Sequence, residues 1–279
     1  MDVVVQHAPQ FTCSEAEALA QRAFGVAGRA DALASERDQN FRITAADGTA
    51  FVLKVANATE REEVLEFQDA ALDHLAARHA GLAVPRVCRT ASGDAIVRVP
   101  GHSGRQHLVR LLTWVPGDVL ASVKPHTEAL LVSLGRRVGE TNRAFQGFSH
   151  PAMGRALQWD LARTTWIGAE LGRFTDPRRR SIVERVLSRL TASVAPRLGG
   201  LRQQVIHNDW NDHNVITRSS RNQRGWDVED FAHEGLMAPG RFADRHVIGV
   251  VDFGDMVHSP VVADLAVACA YAMLASRIR

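Results

Sequence analysis

Two short β-branched runs, each opening into a polar turn, constrain this 279-residue chain more than any other feature. Val205-Ile206 and Val215-Ile216 flank the loop 207–214. The run 247–251 leads to Asp252, and Gly254 follows two residues later. A loop so dense in Asn, Asp and His suits neither the interior of a helix nor a strand. Each stretch therefore predicts a strand that delivers polar side chains to a turn.

The polar residues of these turns follow the order of a kinase active site. His207, Asp209 and Asn214 fit H-x-D-x-x-x-x-N, and Asp252-Phe253-Gly254 supplies the later D-F-G. Phosphoryl transfer needs a carboxylate that takes the proton of the acceptor hydroxyl, and oxygen ligands that hold Mg²⁺ against the nucleotide phosphates. The spacing predicts Asp209 as the general base, Asn214 and Asp252 as metal ligands, and His207 as a brace of the loop.

A simpler interpretation competes with this one. A loop rich in Asn and Asp is commonly a solvated turn, and Asp-Phe-Gly also occurs by chance. Each fragment alone is compatible with that interpretation. Their occurrence together, in the right order and each after a β-branched run, favours the kinase site.

On these motifs the chain resembles the aminoglycoside phosphotransferase and choline kinase superfamily, and within it the hydroxylysine kinase group. The resemblance rests on residues 207–214 and 252–260 and extends to residues 35–42 and 52–57, so it covers most of the chain. The paired catalytic motifs are specific for the superfamily, and the flanking words less so for the subgroup.

The resemblance implies an α+β, two-lobed protein-kinase-like fold. An N-lobe, made of an antiparallel sheet plus a helix, would span 1–114, and a mainly helical C-lobe would span 115–279. It further implies a small-molecule kinase that uses Mg²⁺ with ATP or GTP and phosphorylates a hydroxyl of an amino alcohol or a hydroxy amino acid. The best candidate acceptor is 5-hydroxylysine, with choline, ethanolamine, homoserine and aminoglycosides as alternatives.

The N-lobe is expected to hold the nucleotide. Two strands joined through Asp47-Gly48 form a predicted hairpin over 39–55. Lys54 lies in the second strand, where a buried lysine needs an anion and a nucleotide phosphate supplies one. The alternative is a lysine on the solvent face. The preceding turn, with Ser35 and Asn40, would lie over the phosphates, although it lacks Gly-x-Gly-x-x-Gly.

Two helices are predicted beside these strands. Ser14-Glu15-Ala16-Glu17 and Thr59-Glu60-Arg61-Glu62 have the pattern of capping boxes and begin helices that run to about Phe24 and Arg78. Gln68 falls on the apolar face of the second helix, in the slot where protein kinases carry the glutamate that pairs with the strand lysine. We expect it near the nucleotide, and the alternative is an amide tolerated at the edge of the core.

A further strand over 107–112 runs into the turn Pro116-Gly117, which the resemblance makes the hinge between the lobes. The backbone near Leu112 and Trp114 would then contact the purine. Trp114 would either stack on the base or fill the core of the hinge.

The C-lobe is predicted to be mainly helical. Apolar residues at helical spacing over 129–145 and 182–194 indicate two helices whose apolar faces belong to the core. Trp159 lies in a region that resembles the acceptor wall of the superfamily, whereas Trp166 is interpreted as core packing. Asp264, in the apolar pattern of the last helix, is expected to brace the catalytic loop.

Carboxylates gather where the acceptor hydroxyl must lie. Asp209, Asp212 and Asp255 flank that place, and Glu234, in a predicted surface insertion over 217–246, is a further candidate. A cleft of one charge favours ligands of the other, so the acceptor is expected to carry an ammonium group.

Composition argues against several other classes of protein. A formal net charge of +2 gives no concentrated basic surface for nucleic acid. The three cysteines are scattered without metal-ligand spacing and are expected to be free thiols in a reducing cytoplasm. Charged residues break the apolar runs near the C-terminus, so no membrane span is predicted. We therefore expect a cytoplasmic protein that binds neither nucleic acid nor membrane.

Two rival functions remain compatible with the same residues. Gln68 in place of a glutamate suits a nucleotide-binding pseudo-kinase domain of a larger or truncated protein. The density of Asp and His suits a metal-dependent hydrolase, but no two histidines have the i, i+4 spacing of a helical metal site. Lys54 would also have no role in the mechanism of such a hydrolase.

Overall fold

A computed structural model describes residues 7–35, 37–219 and 245–276 of the chain. The chain divides into two compact units, residues 1–116 and 117–279. The first contains the residues that the sequence assigns to the nucleotide, and the second contains both polar turns. The division falls within the Pro116-Gly117 turn, next to the boundary at 114 that the sequence predicts.

The first unit is built on an antiparallel sheet of six strands. The order is β1 (Arg29–Leu33), β2 (Gln39–Thr44), β3 (Ala50–Val55) and β6 (Gln106–Thr113), and both β4 (Val87–Cys88) and β5 (Val97–Pro100) pair with β6. The predicted Asp-Gly hairpin is confirmed, because β2 and β3 pair along their whole length and Gly48 takes a φ of +83° in the turn. The sequence did not reveal β1, which exposes Arg29 and Asp31 at the edge of the sheet.

Helices α1 (Cys13–Phe24) and α2 (Glu62–Arg78) lie against opposite faces of this sheet. The row that packs against α1 is apolar and consists of Phe41, Leu53 and Leu111, register partners on β2, β3 and β6. Side chains alternate between the two faces along a strand, so the adjacent row faces α2. That row is polar and consists of Asn40, Lys54 and Arg110.

The capping box predicted for α1 at Ser14 is wrong by two residues. Thr12 caps the helix: its Oγ1 accepts from the backbone N–H of Glu15 (3.2 Å), and the Glu15 carboxylate accepts from the backbone N–H of Thr12 (2.7 Å). Both positions satisfy the sequence pattern. Glu17 is not available for a second box because it accepts from the backbone N–H of Ala30 on β1 (2.9 Å).

The capping box predicted for α2 is absent. Its N-cap, Arg61, makes no capping hydrogen bond through its side chain. Thr59 instead donates from Oγ1 to Oδ1 of Asn57 (2.8 Å), so the hydroxyl serves the preceding turn. The predicted end of the helix at Arg78 is confirmed.

The second unit combines helices with short strands. Helix α3 (Glu128–Ala144) packs against β10 (Arg245–Val250) and α7 (Val262–Ser276). Strand β9 (Val215–Ser219) lies between β10 and β7 (Asp118–Val119), while β8 (Gln203–Ile206) pairs with β11 (Val257–Pro260). The segment from β8 to β9, residues 207–214, therefore joins two separate small sheets.

The predicted insertion over 217–246 begins and ends inside β9 and β10. Its interior, residues 220–244, lies outside the described part of the chain, and so does Glu234.

One predicted core helix is not buried. Helix α5 (Pro177–Arg189) forms with Asp176 as its N-cap, but among the described residues none of its side chains is buried, and Val186 is 61% exposed. Periodicity produces the helix, whereas burial also requires a neighbouring element that covers its apolar face. The short helices α4 (Ile167–Glu170) and α6 (Ala195–Leu198) flank α5 in the chain.

Cys13, Cys88 and Cys269 are free cysteines, as predicted. No helix within the described ranges has both the length and the apolarity needed to cross a bilayer.

Candidate active site

The loop 207–214 begins where β8 leaves its pairing with β11 and ends where β9 begins to pair with β10. Asn208 takes a φ of +66°, a left-handed conformation that is uncommon for residues other than glycine and best tolerated by Asn and Asp. This conformation turns the chain directly before Asp209. Such strain is concentrated at functional positions of proteins.

Asp209 is held by the amides of its own loop. Asn214 donates from Nδ2 to one carboxylate oxygen (2.7 Å), and Asn211 donates from Nδ2 to the other (2.8 Å). Asn211 also accepts on Oδ1 from the backbone N–H groups of His213 (2.8 Å) and Asn214 (3.1 Å), which closes the turn. The carboxylate is half-buried and fixed in orientation by two neutral donors, an arrangement suited to a base that must meet a substrate.

His207 braces the loop, as the sequence predicts. It is fully buried, its Nδ1 lies 3.2 Å from the backbone nitrogen of Asp209, and its Nε2 lies 3.1 Å from the carbonyl oxygen of Val251. A backbone N–H only donates, so Nδ1 accepts and Nε2 carries the proton that it donates to Val251. Its ring also packs edge-on against Phe253 at a centroid distance of 4.8 Å. His207 therefore ties the catalytic loop to the Asp-Phe-Gly turn.

Asp264 of α7 is a second brace, again as predicted. Its carboxylate accepts from the backbone N–H of Asn208 (2.7 Å), from that of His207 (3.4 Å) and from Nδ2 of Asn142 (3.1 Å). Complete burial raises the pKa of this carboxyl group, and the three hydrogen bonds that it accepts act in the opposite direction. The group fixes the strained backbone on the N-terminal side of Asp209.

The two turns meet at one end of the β9–β10 ladder. The backbone N–H of Val251 donates to the carbonyl oxygen of Asn214 (2.9 Å), so Asp252 follows directly after the residue that contacts the end of the loop. Asp252 is exposed and takes a φ of +58°, and its Oδ1 accepts from the N–H of Gly254 (3.1 Å). The structure thus brings Asp209, Asn214 and Asp252 together.

This donor set fits a hard divalent cation. Because Asn214 uses Nδ2 to hold Asp209, its Oδ1 is the atom that remains for a metal. One neutral oxygen and the carboxylate of Asp252 would leave the rest of a Mg²⁺ shell to water and phosphate, which is the usual arrangement for this ion. Within residues 7–35, 37–219 and 245–276, no group of three or more His, Cys, Asp or Glu side chains forms a metal cluster.

Of the residues assigned to the acceptor, Asp212 lies in this loop and the backbone of Trp159 lies next to it. Asp212 is half-buried, and its carbonyl oxygen accepts from the N–H of Ala121 (2.8 Å). Asp255 is half-buried at the end of the Asp-Phe-Gly turn. Trp159 is 58% exposed, and its carbonyl oxygen lies 3.5 Å from Nδ2 of Asn208. Its ring stands edge-on to Trp166, which is only half-buried.

Two of the predicted nucleotide residues, Asn40 and Lys54, lie directly opposite each other on β2 and β3, and Arg110 on β6 is the next residue of the same row. Ser35 lies just after β1, is exposed and lies 3.5 Å from the carbonyl oxygen of Leu33 through its Oγ.

Gln68 contacts an arginine that the sequence did not single out. Arg110 donates from Nη2 to Oε1 of Gln68 (2.7 Å) and from Nη1 to Oδ1 of Asp69 (2.6 Å), and both ion-pair partners are buried. Burial raises the pKa of Asp69, while Arg110 acts in the opposite direction. Arg110 stands alone between Val109 and Leu111 in an apolar strand, and this was the available signal, because a charge in a central strand demands a buried partner.

At the predicted hinge, Leu112 is buried, and the backbone N–H of Trp114 donates to the carbonyl oxygen of Ala50 (3.0 Å). The guanidinium of Arg42 lies over the Trp114 ring, 4.6 Å from its centroid. This cation–π contact uses a ring face that the sequence assigned either to the base or to the hinge core.

Comparison with known proteins identifies the family. The phosphotransferase enzyme family matches residues 30–225, which is more than half of the chain. The chain belongs to this family. Hydroxylysine kinase of Mus musculus is 30% identical over 285 residues, a match that covers 96% of this chain and 71% of the mouse protein. The superfamily predicted from the motifs is confirmed, and the chain is a small-molecule kinase.

Solved structures confirm the predicted protein-kinase-like fold. An amicoumacin kinase in complex with AMP-PNP, Ca²⁺ and Ami matches with a TM-score of 0.63 at 14% identity, over 96% of this chain and 72% of that one. The GDP and kanamycin complex of APH(2")-IIia matches with a TM-score of 0.57 at 14% identity, over 94% of this chain and 82% of that one. At such identities the likeness concerns the fold.

Proposed function

We propose that this kinase transfers the terminal phosphate of ATP or GTP to the hydroxyl of an amino-bearing metabolite, and that its acceptor is 5-hydroxylysine. The observation that carries the proposal is the contact of Asp209 with Asn214 beside Asp252. A carboxylate that takes a proton and the oxygen atoms that bind a cation are thereby held on two turns that meet.

Each residue has a distinct role in this reaction. Asp209 takes the proton of the acceptor hydroxyl as the new O–P bond forms and the bond to the leaving nucleotide breaks. The amides of Asn211 and Asn214 orient its carboxylate. Asn214 Oδ1 and Asp252 would hold Mg²⁺, which neutralises charge on the phosphates when it is bound. The braces from His207 and Asp264 keep the loop in its strained conformation.

The acceptor assignment is supported by charge and by relationship. Asp212 and Asp255 add carboxylates near Asp209, and a negative cleft attracts an ammonium-bearing substrate. Trp159 offers an exposed aromatic ring, and its backbone lies next to Asn208. Such a ring suits the alkyl chain or the ammonium group of an amino-bearing acceptor. The mouse relative is a hydroxylysine kinase. Amino alcohols, homoserine and aminoglycosides are the competing acceptors.

For the nucleotide we assign the phosphates to Lys54, Asn40 and Ser35, and the base to the backbone between Leu112 and Trp114. The donor is ATP or GTP. Both the use of ATP or GTP and the free cysteines suit a cytoplasmic enzyme.

The test is a nucleotide-consumption assay with Mg²⁺ and either ATP or GTP, run across a panel of acceptors. We expect 5-hydroxy-L-lysine to stimulate consumption above the level without acceptor, and lysine, which lacks the hydroxyl, to have no effect. The phosphorylated product should be identified by mass. Stimulation only by choline, ethanolamine, homoserine or an aminoglycoside would replace the acceptor, and no stimulation by any amino-bearing alcohol, with nucleotide binding intact, would favour a pseudo-kinase.

A further inference from the structure

The polar row on the α2 face of the first unit contains two cations side by side. Lys54 on β3 and Arg110 on β6 are register partners, so their side chains leave the sheet on the same face at neighbouring positions. Like charges directly opposite each other across two strands destabilise a sheet. The two positive charges therefore need either a compensating anion or a function that uses them.

Helix α2 fixes Arg110 in place. The side chain of Arg110 is 3% exposed and is bound by Asp69 (2.6 Å), by Gln68 (2.7 Å) and by the carbonyl oxygen of Leu65 (3.3 Å). Three partners on one rigid helix leave the guanidinium no room to change its position. A buried cation held in this way acts on its neighbours through a low-dielectric interior, where a charge is felt more strongly than in water.

The other neighbour of Lys54 in this row offers a hydrogen-bond acceptor instead of a cation. Asn40, its partner on β2, has a buried Oδ1 that accepts no hydrogen bond within the described part of the chain. Lys54 thus lies between a fixed guanidinium on one side and an unsatisfied carbonyl oxygen on the other.

We propose that Arg110, clamped by Asp69 and Gln68, is a positioning residue for the nucleotide, a fixed second cation beside Lys54 that adds to the binding of the phosphates. This inference rests on the proposed function and concerns the same nucleotide. It gives Gln68 a different task from the helix glutamate of protein kinases: Gln68 holds the neighbouring arginine, not the lysine.

A purely structural ion pair and a positioning cation predict opposite changes in nucleotide affinity for Asp69→Asn. If the pair only holds α2 to the sheet, Asp69→Asn and Arg110→Met both loosen the unit and both weaken nucleotide binding. If Arg110 acts through its charge, Asp69→Asn removes the carboxylate that neutralises it and strengthens binding of an anionic nucleotide. Arg110→Met then weakens that binding. Arg110→Lys, which keeps the charge and loses the fork, should restore most of the affinity.

The experiment is an equilibrium titration of the full chain with AMP-PNP and Mg²⁺ at low salt, beside thermal unfolding of each variant. We expect Asp69→Asn to bind roughly three- to ten-fold more tightly and Arg110→Met to bind weaker by a similar factor, as for one charge across several ångströms of protein. The matched control is Arg98→Gln. Arg98 on β5 also pairs with α2, through Glu62, but that pair is exposed, so binding should stay within about two-fold.

Weaker binding by Asp69→Asn would overturn the inference, and so would Arg110→Lys that binds no better than Arg110→Met. Should Arg110→Met fail to fold, the direction of the change in Asp69→Asn still decides. A wild-type chain that binds no Mg²⁺-nucleotide would instead overturn the proposed function and the inference with it. The two failures are therefore distinguishable.

Discussion

The catalytic loop and the polar row of the sheet hold their charged groups in opposite ways. Asp209 is half-buried and held by Asn211 and Asn214, two and five residues away in the chain. Arg110 is buried and held by Asp69 and Gln68, 41 and 42 residues away. A group that must meet a substrate is oriented by near, neutral donors, and a group that must stay fixed is buried against an opposite charge.

This difference has an energetic basis. Neutral amides orient a carboxylate without removing it from water, so Asp209 remains reachable. A buried ion pair loses hydration on both sides, and removal of either partner leaves an uncompensated charge in the interior. Substitutions in the loop should therefore affect turnover, whereas substitutions in the buried networks should affect stability as well.

The largest effect is expected for Asp209→Asn. The amide cannot take the proton of the acceptor, so turnover should fall by about 10²- to 10⁴-fold, the usual contribution of a general base. Affinity for Mg²⁺-nucleotide and the unfolding midpoint should change little, because the base contacts neither phosphate nor core. Steady-state kinetics beside a nucleotide titration measures both. An equal loss of nucleotide binding would show that Asp209 has another role.

Asp264→Asn tests whether the loop also depends on a long-range anchor. The carboxylate accepts from two backbone N–H groups and one amide, and the variant places an NH₂ group against one of these donors. Each buried donor left without a partner costs about 1–3 kcal/mol. We expect a lower free energy of unfolding in urea together with lower turnover.

The control for this variant is Asp31→Asn, which alters an exposed carboxylate of the first unit. It should leave both quantities close to those of the wild type. Normal stability with lost turnover in Asp264→Asn would mean that the brace positions the loop without supporting the fold.

Asp252→Asn should act on the cation and not on the fold, because asparagine tolerates the positive φ of this position. Its carboxylate is exposed and lies beside the end of the catalytic loop, so its removal costs no core packing. We expect the Mg²⁺ concentration needed for half-maximal activity to rise and Mg²⁺-dependent nucleotide binding to fall. An unchanged Mg²⁺ titration would remove Asp252 from the metal site.

The smallest effect is expected at Glu15, a local and exposed cap in the first unit. Hydrogen bonds from Thr12 and His102 lower the pKa of Glu15 to about 2 from its usual 4.5. Because the folded pKa is the lower one, the contribution of this group to stability is present above pH 4.5 and is lost as the pH falls through about 2. Thermal unfolding from pH 6 to pH 2 should show a steeper fall for the wild type than for Glu15→Gln, and parallel curves would contradict the assignment.

Several features of the fold and of the candidate site follow from the local spacing of residues in the sequence. The Asp-Gly hairpin, the C-terminal ends of α1 and α2, and the polar loop that holds Asp209 and Asn214 all follow from residues within a few positions of one another. Hydrogen bonds inside such short segments need no distant partner. For this reason the catalytic loop could be predicted before its surroundings were known.

The long-range partners, in contrast, could be assigned only from the folded chain. Folding joined Arg110 to Asp69 and Gln68, gave the capping of α1 to Thr12 because β1 holds Glu17, and left the apolar face of α5 unburied. Each outcome depends on an element far away in the chain, and periodicity within one helix or strand does not specify which neighbour will cover it. The polar loop was therefore predictable from one short segment, whereas the contacts of Arg110 with Asp69 and Gln68 depend on how the strands pack against α2.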